Sequence, residues 1–106
     1  MEQAYEEALC VELQLQRLNY KRQLSVPLVY KNYRIGEYRI DLLVEEAVLV
    51  EIKSVERYDP VFEAQVLTYL RITGKRIGLL LNFNSRLLKT VSRESSSNTS
   101  VSLWQI

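Results

Sequence analysis

The chain has 106 residues, of which 47% are hydrophobic and 25% are charged, and its formal net charge is +1. This length provides one modest hydrophobic core, and the composition excludes collagen-like, coiled-coil and wholly disordered chains. With no histidine and a single cysteine, the sequence also excludes zinc sites, histidine-based catalytic triads and cysteine–histidine dyads. Any metal must therefore be held by carboxylates and carbonyls, which favours magnesium, manganese or calcium.

Three features of the sequence predict a cytoplasmic protein that does not enter membranes. No apolar stretch approaches the roughly 18 residues that a membrane-spanning helix needs. Met1 is followed by acidic residues rather than by the basic and apolar regions of a signal peptide. The single cysteine, Cys10, cannot form an internal disulfide, which suits a reducing compartment.

The hydrophobic pattern predicts elements in the order α-β-β-β-α-β. Apolar residues at positions 4, 8, 11, 15 and 18 recur at helical spacing and are widened into a broader stripe by Tyr5, Leu9 and Leu13, so an amphipathic first helix is expected over 2–18. Strands are expected at 23–30, 33–44 and 48–55. Pro27 favours an edge strand, Lys31-Asn32 a turn and Gly36 a bulge.

The second half of the chain predicts a helix, a buried strand and a tail. Asp59-Pro60 is typical of a helix start and Gly74 of its end, and the apolar run 77–83 indicates a strand covered on both faces. We expect a folded domain over 1–91, followed by a flexible Ser- and Thr-rich tail over 92–106 that could end in a short docked strand. The predicted fold class is α/β, with a mixed central sheet flanked by helices.

The hairpin around residues 45–47 brings two carboxylates together. Each strand has one wholly apolar face, made of Ile40, Leu42 and Val44 in the first strand and Val48, Val50 and Ile52 in the second. Matching these faces sets Asp41 opposite Glu51, with Lys53 one pleat further along. Opposed like charges destabilise a sheet unless something neutralises them, and Mg²⁺ bound by the two carboxylates and a backbone carbonyl would do so. The alternative is an exposed acidic pair neutralised by Lys53 and nearby arginines.

Four motifs in the chain resemble those of a nuclease superfamily. Ile40-Asp41 followed by Glu51-Ile52-Lys53 resembles the PD-(D/E)xK motif, and Gln65–Tyr69 resembles the Q-x-x-x-Y element of RecB-type members. Glu2–Leu9 is similar to the E-x-x-Y-E-x-A-L helix of the GxxExxR proteins, a small bacterial branch of that superfamily. Leu80–Phe83 is similar to the same branch's L-I-N-F-G strand. The resemblance covers residues 2–84 and implies a restriction-endonuclease-like αβββαβ core.

The sequence departs from these patterns at three places. Ile40 stands where the motif has proline, and Asn84 stands where the closing strand has glycine. The segment that precedes E-x-x-Y in the GxxExxR proteins is not found before Glu2. We therefore expect either a shortened member of that branch or a gene start assigned too late.

The resemblance assigns roles to the matching residues. It implies that Mg²⁺ or Mn²⁺ is bound by Asp41, Glu51, the backbone carbonyl of Ile52 and Glu2. Lys53 would position or deprotonate the attacking water and offset charge in the transition state. Gln65 and Tyr69, four apart on one helix face, would hydrogen-bond into the site, although an ordinary helix surface is the alternative for this pair.

These roles predict an Mg²⁺-dependent nuclease that hydrolyses phosphodiester bonds of DNA, with RNA as a further candidate substrate. The alternative is a catalytically idle module on the same fold that binds nucleic acid or protein. The complete set of motif residues favours the enzyme, whereas the small size and near-neutral charge favour binding alone, since a duplex needs several phosphate contacts. A homodimer would reconcile these observations by doubling the basic surface.

Overall fold

Within the described part of the chain, the sheet contains six strands and carries one helix on each face. The computed structural model describes residues 1–93 and 99–102. Its elements are α1 (Glu2–Leu15), β1 (Tyr20–Tyr30), β2 (Tyr33–Val44), β3 (Val48–Lys53), α2 (Val61–Thr73), β4 (Ile77–Asn82), β5 (Leu87–Ser92) and β6 (Thr99–Ser102). Strands adjacent in sequence are adjacent in the sheet, and all pairs are antiparallel except β3–β4. The predicted α/β class with a mixed sheet is confirmed, and β5 and β6 extend the sheet beyond the predicted core.

The C-terminal region was expected to form a flexible tail from residue 92. Thr99–Ser102 instead pair with β5 as strand β6, slightly before the docked strand that the sequence suggested. Residues 94–98 and 103–106, on which most of the tail prediction falls, lie outside the described residues. The domain boundary at residue 91 stays a prediction. Over the described part of the chain, no helix has the length and apolar character needed to cross a bilayer.

Helix α1 ends three residues earlier than its apolar spacing predicts. Arg17 adopts a left-handed conformation with φ of 60°. Its N–H donates to the Gln14 carbonyl at 3.0 Å, and the Leu18 N–H donates to the Leu13 carbonyl at 2.9 Å. This pair of bonds is the Schellman arrangement, which satisfies carbonyls at the helix end and turns the chain into β1.

Only one side of the predicted apolar stripe of α1 is buried. Val11 and Leu15 are 53% and 69% exposed, whereas Cys10 and Leu13 are buried against the sheet. The buried face also carries Tyr5 and Leu9, which widen the predicted stripe together with Leu13 and offer more apolar area than its alanines. It includes a charged residue, Glu6, that is only 6% exposed, which apolar spacing alone does not indicate.

Helix α2 begins and ends where its signals indicate and covers the opposite face of the sheet. The Asp59 carboxylate accepts a hydrogen bond from the Val61 N–H at 2.9 Å, which is the expected cap, and Gly74 has φ of 75° at the other end. As the crossover between parallel strands β3 and β4, α2 packs on a core that includes Val66, Leu70, Leu49 and Leu80.

Both hairpin turns fall at the predicted residues. Lys31 and Asn32 have φ of 47° and 69°, as a two-residue turn with two positive φ angles requires. The bulge predicted at Gly36 is present, since Leu28 pairs with Gly36 while Val29 pairs with Arg34. Val44 pairs with Val48, which gives the predicted three-residue turn. Strand β1 is an edge strand, as Pro27 indicates.

Candidate active site

Strands β2 and β3 separate at the point where two carboxylates face each other. Their regular pairing ends with Leu42 opposite Val50, and the same register continued by one residue sets Asp41 opposite Glu51, as predicted. The Asp41 N–H donates to Oε1 of Glu51 at 3.2 Å, and the Ile52 N–H donates to Oδ2 of Asp41 at 2.7 Å. The side chains thus supply the acceptors that backbone carbonyls supply elsewhere in the sheet.

One part of the sequence-derived geometry is wrong. Ile40 was expected on the face of Leu42, but it packs with Leu43 in the core under α2, while Leu42 belongs to the core under α1. The alternation of β2 side chains between the two faces of the sheet is therefore interrupted at Asp41. The neighbouring position on β1 is Gln23, whose φ of 50° marks the same irregularity. A local departure of this kind, which is common beside active sites, cannot be read from strict alternation.

The surroundings of the two carboxylates disfavour their ionised forms. Burial raises the pKa of Glu51 to about 8, and the adjacent charge of Asp41 adds to this rise. Burial also raises the pKa of Asp41, against the opposing effect of the hydrogen bond from the Ile52 N–H. Such shifts are typical of catalytic and metal-binding carboxylates, since buried like charges need a cation to remain ionised together.

Asp41 opens into a cavity between α1 and the base of the β1–β2 hairpin. The cavity has a volume of about 480 Å³ and is lined by Glu2, Gln3, Glu6, Arg22, Gln23, Arg39, Asp41 and Ile52. Three of these side chains are acidic and two are arginines. The cavity can therefore offer oxygen ligands to a cation and guanidinium groups to a phosphate in the same space.

Glu6 is a component of this cavity that the sequence prediction did not include. It is buried, and both of its oxygens are hydrogen-bonded: Arg22 donates to Oε2 at 2.7 Å and Gln23 donates to Oε1 at 2.6 Å. Arg22 also donates to Glu7 at 2.8 Å, and its hydrogen bonds to Glu7 and Glu6 raise its pKa. The signal was available, because Glu6 is four residues after Glu2 on the same helix face.

Lys53 and Tyr69 approach the carboxylates from the α2 side. The half-buried Lys53 lowers the pKa of both Asp41 and Glu51, and its Nζ lies 4.8 Å from the ring centroid of Phe62. Tyr69 is buried against Tyr38, with ring centroids 5.0 Å apart. Burial and then the charge of Glu51 raise the pKa of Tyr69.

Gln65 and Tyr69 differ in their surroundings although they share a helix face. Gln65 is exposed, one turn before the buried Tyr69. The charges of Glu51 and Asp41 both contribute to the raised pKa of Tyr69, whereas Gln65 lies at the surface of α2. Phe62, which contacts Lys53, belongs to no motif and could not have been found from the sequence.

The backbone after Lys53 is held by two side chains from different elements. Glu2 Oε2 accepts a hydrogen bond from the Ser54 N–H at 3.0 Å. The buried Asn82 accepts from the Val55 N–H at 3.0 Å and donates to the Val55 carbonyl at 3.1 Å. Glu2 therefore reaches the site region from α1, as expected. The two bonds of Asn82 give the amide at the end of β4 a structural role.

The donor set suits a hard divalent cation. One oxygen of each carboxylate accepts a backbone N–H, and Mg²⁺ is commonly bound through one or two carboxylates with water completing its shell. Among residues 1–93 no three acidic side chains already meet as a ready-made metal cluster. Glu2 is accordingly a residue of the same cavity, engaged with Ser54, rather than a third carboxylate in contact with the pair.

Comparison with known proteins identifies the family and the fold. The family model described as PD-(D/E)XK nuclease superfamily matches residues 1–94. A crystal structure of a DUF820 protein from Anabaena variabilis ATCC 29413, described as a candidate nuclease, superposes with a TM-score of 0.65 at 12% sequence identity. The match covers 96% of this chain and 68% of that one; at such identity it shows a shared fold. No curated protein matches the sequence significantly.

Proposed function

Because the chain belongs to the PD-(D/E)XK nuclease superfamily, we propose that it hydrolyses phosphodiester bonds of DNA in a metal-dependent reaction, with RNA as the alternative substrate. The observation that carries the proposal is the pair formed by the half-buried Asp41 and the buried Glu51, whose carboxylates each accept a backbone N–H of the opposite strand. A sheet that only needed stability would place apolar residues here. The uncompensated charge of this pair instead favours a cation-binding site.

Mg²⁺ or Mn²⁺ is the proposed cofactor. Asp41, Glu51 and the Ile52 carbonyl would hold it, with Glu2 as a further ligand or as the acceptor of a bound water. When bound, the ion would polarise the scissile phosphate and lower the pKa of the attacking water. The protein's own contribution is to hold two carboxylates at fixed positions through the backbone bonds of Asp41 and Ile52.

Lys53 is the proposed group that handles the attacking water and the phosphate. Its ammonium rests on the Phe62 ring and lowers the pKa of both carboxylates. From this position it would donate to the phosphate as charge develops, or hold the water for attack. Tyr69 would help to position Glu51 from the α2 side of the sheet, and Gln65 would bind the substrate at the exposed surface of α2.

Three finer proposals accompany this function. The E-x-x-Y-E-x-A-L helix and the Leu80–Phe83 strand favour membership of the GxxExxR branch. The buried free thiol of Cys10 suits the reducing cytoplasm. A homodimer would bring a second basic surface to the nucleic acid, because a single chain with a net charge of +1 offers few phosphate contacts.

The test is cleavage of supercoiled plasmid, single-stranded DNA and RNA with Mg²⁺, with Mn²⁺ or with a chelator. The parent chain is compared with Lys53→Ala and with Lys75→Ala, a matched control. Lys53 pairs with the C-terminal end of β4, whereas Lys75 precedes its N-terminal end. We expect metal-dependent cleavage by the parent chain and by Lys75→Ala, and a loss of at least about 100-fold in Lys53→Ala.

Two outcomes would overturn the proposed nuclease activity. Cleavage that survives unchanged in Lys53→Ala would indicate a contaminating enzyme or a different site. Nucleic-acid binding without turnover in any metal would favour the idle binding module. Loss of activity in Lys75→Ala as well would mean that the effect of the Lys53 substitution is not specific to the site.

A further inference from the structure

The tip of the β1–β2 hairpin exposes a set of large apolar side chains. Val29, Tyr30, Tyr33 and Ile35 are 57%, 59%, 75% and 60% exposed. The turn at 31–32 pairs Tyr30 directly with Tyr33 across the two strands. Clustered exposed apolar groups of this kind, rimmed by polar residues, mark interaction surfaces. We call this tip, residues 29–35, the hairpin arm.

Basic residues accompany the aromatic rings of the hairpin arm. The Nζ of Lys31 lies 5.5 Å from the ring centroid of Tyr30. Arg34 follows Tyr33 on β2 and is bound to Glu37 at 2.9 Å. Aromatic rings interleaved with cations are the combination that proteins use to bind unpaired bases along a strand.

The hairpin arm is continuous with the candidate active site. Strand β2 runs from Tyr33 at the tip to Asp41 at the site, a distance of about 26 Å at the usual rise per residue. Arg39, near the lower end of this path, lines the same cavity as Asp41. A bound strand that followed β2 would therefore pass from the tyrosines to the carboxylates.

The charges of the hairpin favour a single strand over a duplex. Three of its cations, Lys21, Arg22 and Arg34, already form ion pairs at 2.7 to 2.9 Å. Duplex binding relies on neutralising many phosphates, for which few cations remain. Exposed tyrosine faces, in contrast, suit unstacked bases, because the bases of a duplex cover one another's faces.

We propose that the hairpin arm binds single-stranded nucleic acid by stacking bases on Tyr30 and Tyr33 and directs the strand past Arg39 toward Asp41. This proposal rests on the proposed nuclease function only for the direction of the strand. Stacking itself requires neither a metal nor cleavage. The preferred substrate is accordingly a single-stranded segment or a frayed end rather than an intact duplex.

The test measures affinity in a protein that cannot cleave. Fluorescence anisotropy is recorded with labelled oligothymidine, oligouridine and a duplex of equal length, in a chelator, on an Asp41→Asn background. On this background we compare the double substitution of Tyr30 and Tyr33 by Leu, their double substitution by Phe, and a Val29→Ala, Ile35→Ala control. We expect the Leu pair to weaken single-strand binding at least about tenfold, with affinity retained by the Phe pair and by the control.

Each other result of this experiment counts against the proposal. Tighter binding of the duplex, unchanged affinity in the Leu pair, or no single-strand binding by the Asp41→Asn parent would overturn it. So would a change of sedimentation in the Leu pair without a change of affinity, which would make the hairpin arm a contact between copies of the chain. Intact single-strand binding here, together with no cleavage by the parent chain in the plasmid, single-stranded DNA and RNA assay above, would remove the proposed nuclease activity alone.

Discussion

Asp41 and Glu51 are linked by hydrogen bonds between side chain and backbone of the two facing strands, rather than by a direct bond between their carboxylates. The Asp41 N–H donates to Glu51, and the Asp41 carboxylate accepts from the Ile52 N–H that follows Glu51. Each carboxylate is thereby fixed by the backbone next to its neighbour, so the site is built into the sheet at the place where β2 and β3 part. The arrangement keeps two acidic groups close while the surrounding core opposes their ionisation, and this conflict gives the first prediction.

The stability of the metal-free protein should fall as the pH rises from about 5 to above 8. Folded Glu51 holds its proton up to a pKa of about 8, whereas its ordinary value is 4.5. Between these values the folded state binds the extra proton, so a rising pH favours unfolding, by about 1.4 kcal/mol for each pH unit between the two pKa values. The raised pKa of Asp41 acts in the same direction. Urea titrations in a chelator at several pH values would measure the decline.

Glu51→Gln provides the matched comparison for this pH effect. The substituted amide cannot titrate, so its free energy of unfolding should vary little over the same pH range and exceed that of the parent at the upper end. Glu12→Gln, at an exposed position of α1, should retain the parent's decline. An equal decline in the Glu51→Gln protein would show that another group controls it.

Asp41→Asn and Lys53→Ala should separate metal binding from chemistry. Removing one of two paired carboxylates should abolish Mg²⁺ or Mn²⁺ binding measured by calorimetry. Removing Lys53 should retain or tighten it, because this cation lowers the pKa of the same carboxylates and competes with the metal. Cleavage should be lost in both variants. Metal binding by Asp41→Asn with the parent's affinity would show that the ion is held elsewhere.

The sequence correctly predicted how β2 pairs with β3, but not which face of the sheet each β2 side chain occupies. The pairing of Val44 with Val48 follows from matching two apolar strands, and it correctly sets Asp41 beside Glu51. Strict alternation failed at Ile40, because the positive φ of Gln23 and the carboxylate hydrogen bonds allow β2 to change phase locally. Such a change depends on tertiary contacts that no spacing rule contains.

Helix α1 shows a second limit of sequence reasoning. Its most regular apolar spacing includes Val11 and Leu15, yet both are exposed, while Glu6 is buried. The burial of Glu6 is tolerable only because Arg22 and Gln23, on another element, bind both of its oxygens. Partners on distant segments are not visible in a local pattern, so spacing along α1 alone does not show that its buried face includes a charged residue.

Asn82→Leu should impair both folding and the site. The Asn82 side chain binds the N–H and the carbonyl of Val55, two residues after Lys53. A leucine of similar size would leave these groups without their partner, which should cost about 1–3 kcal/mol in chemical denaturation. Cleavage should fall through kcat, because Lys53 loses its fixed position, while metal affinity is retained. Normal kcat in a folded Asn82→Leu protein would exclude this positioning role.

Gly78→Ala should destabilise the protein because α2 lies too close to β4 for any side chain at this position. A Cβ built on Gly78 would stand 2.5 Å from Cγ1 of Val66, which is itself buried. Overpacking of a rigid core typically costs about 1–3 kcal/mol, which thermal or urea unfolding would detect. Adding Val66→Ala removes the clashing methyl group, so the double variant should be less destabilised than the two single losses added together. Additive losses would mean that the helix shifts to admit the new methyl group and that this close contact does not limit the packing of α2.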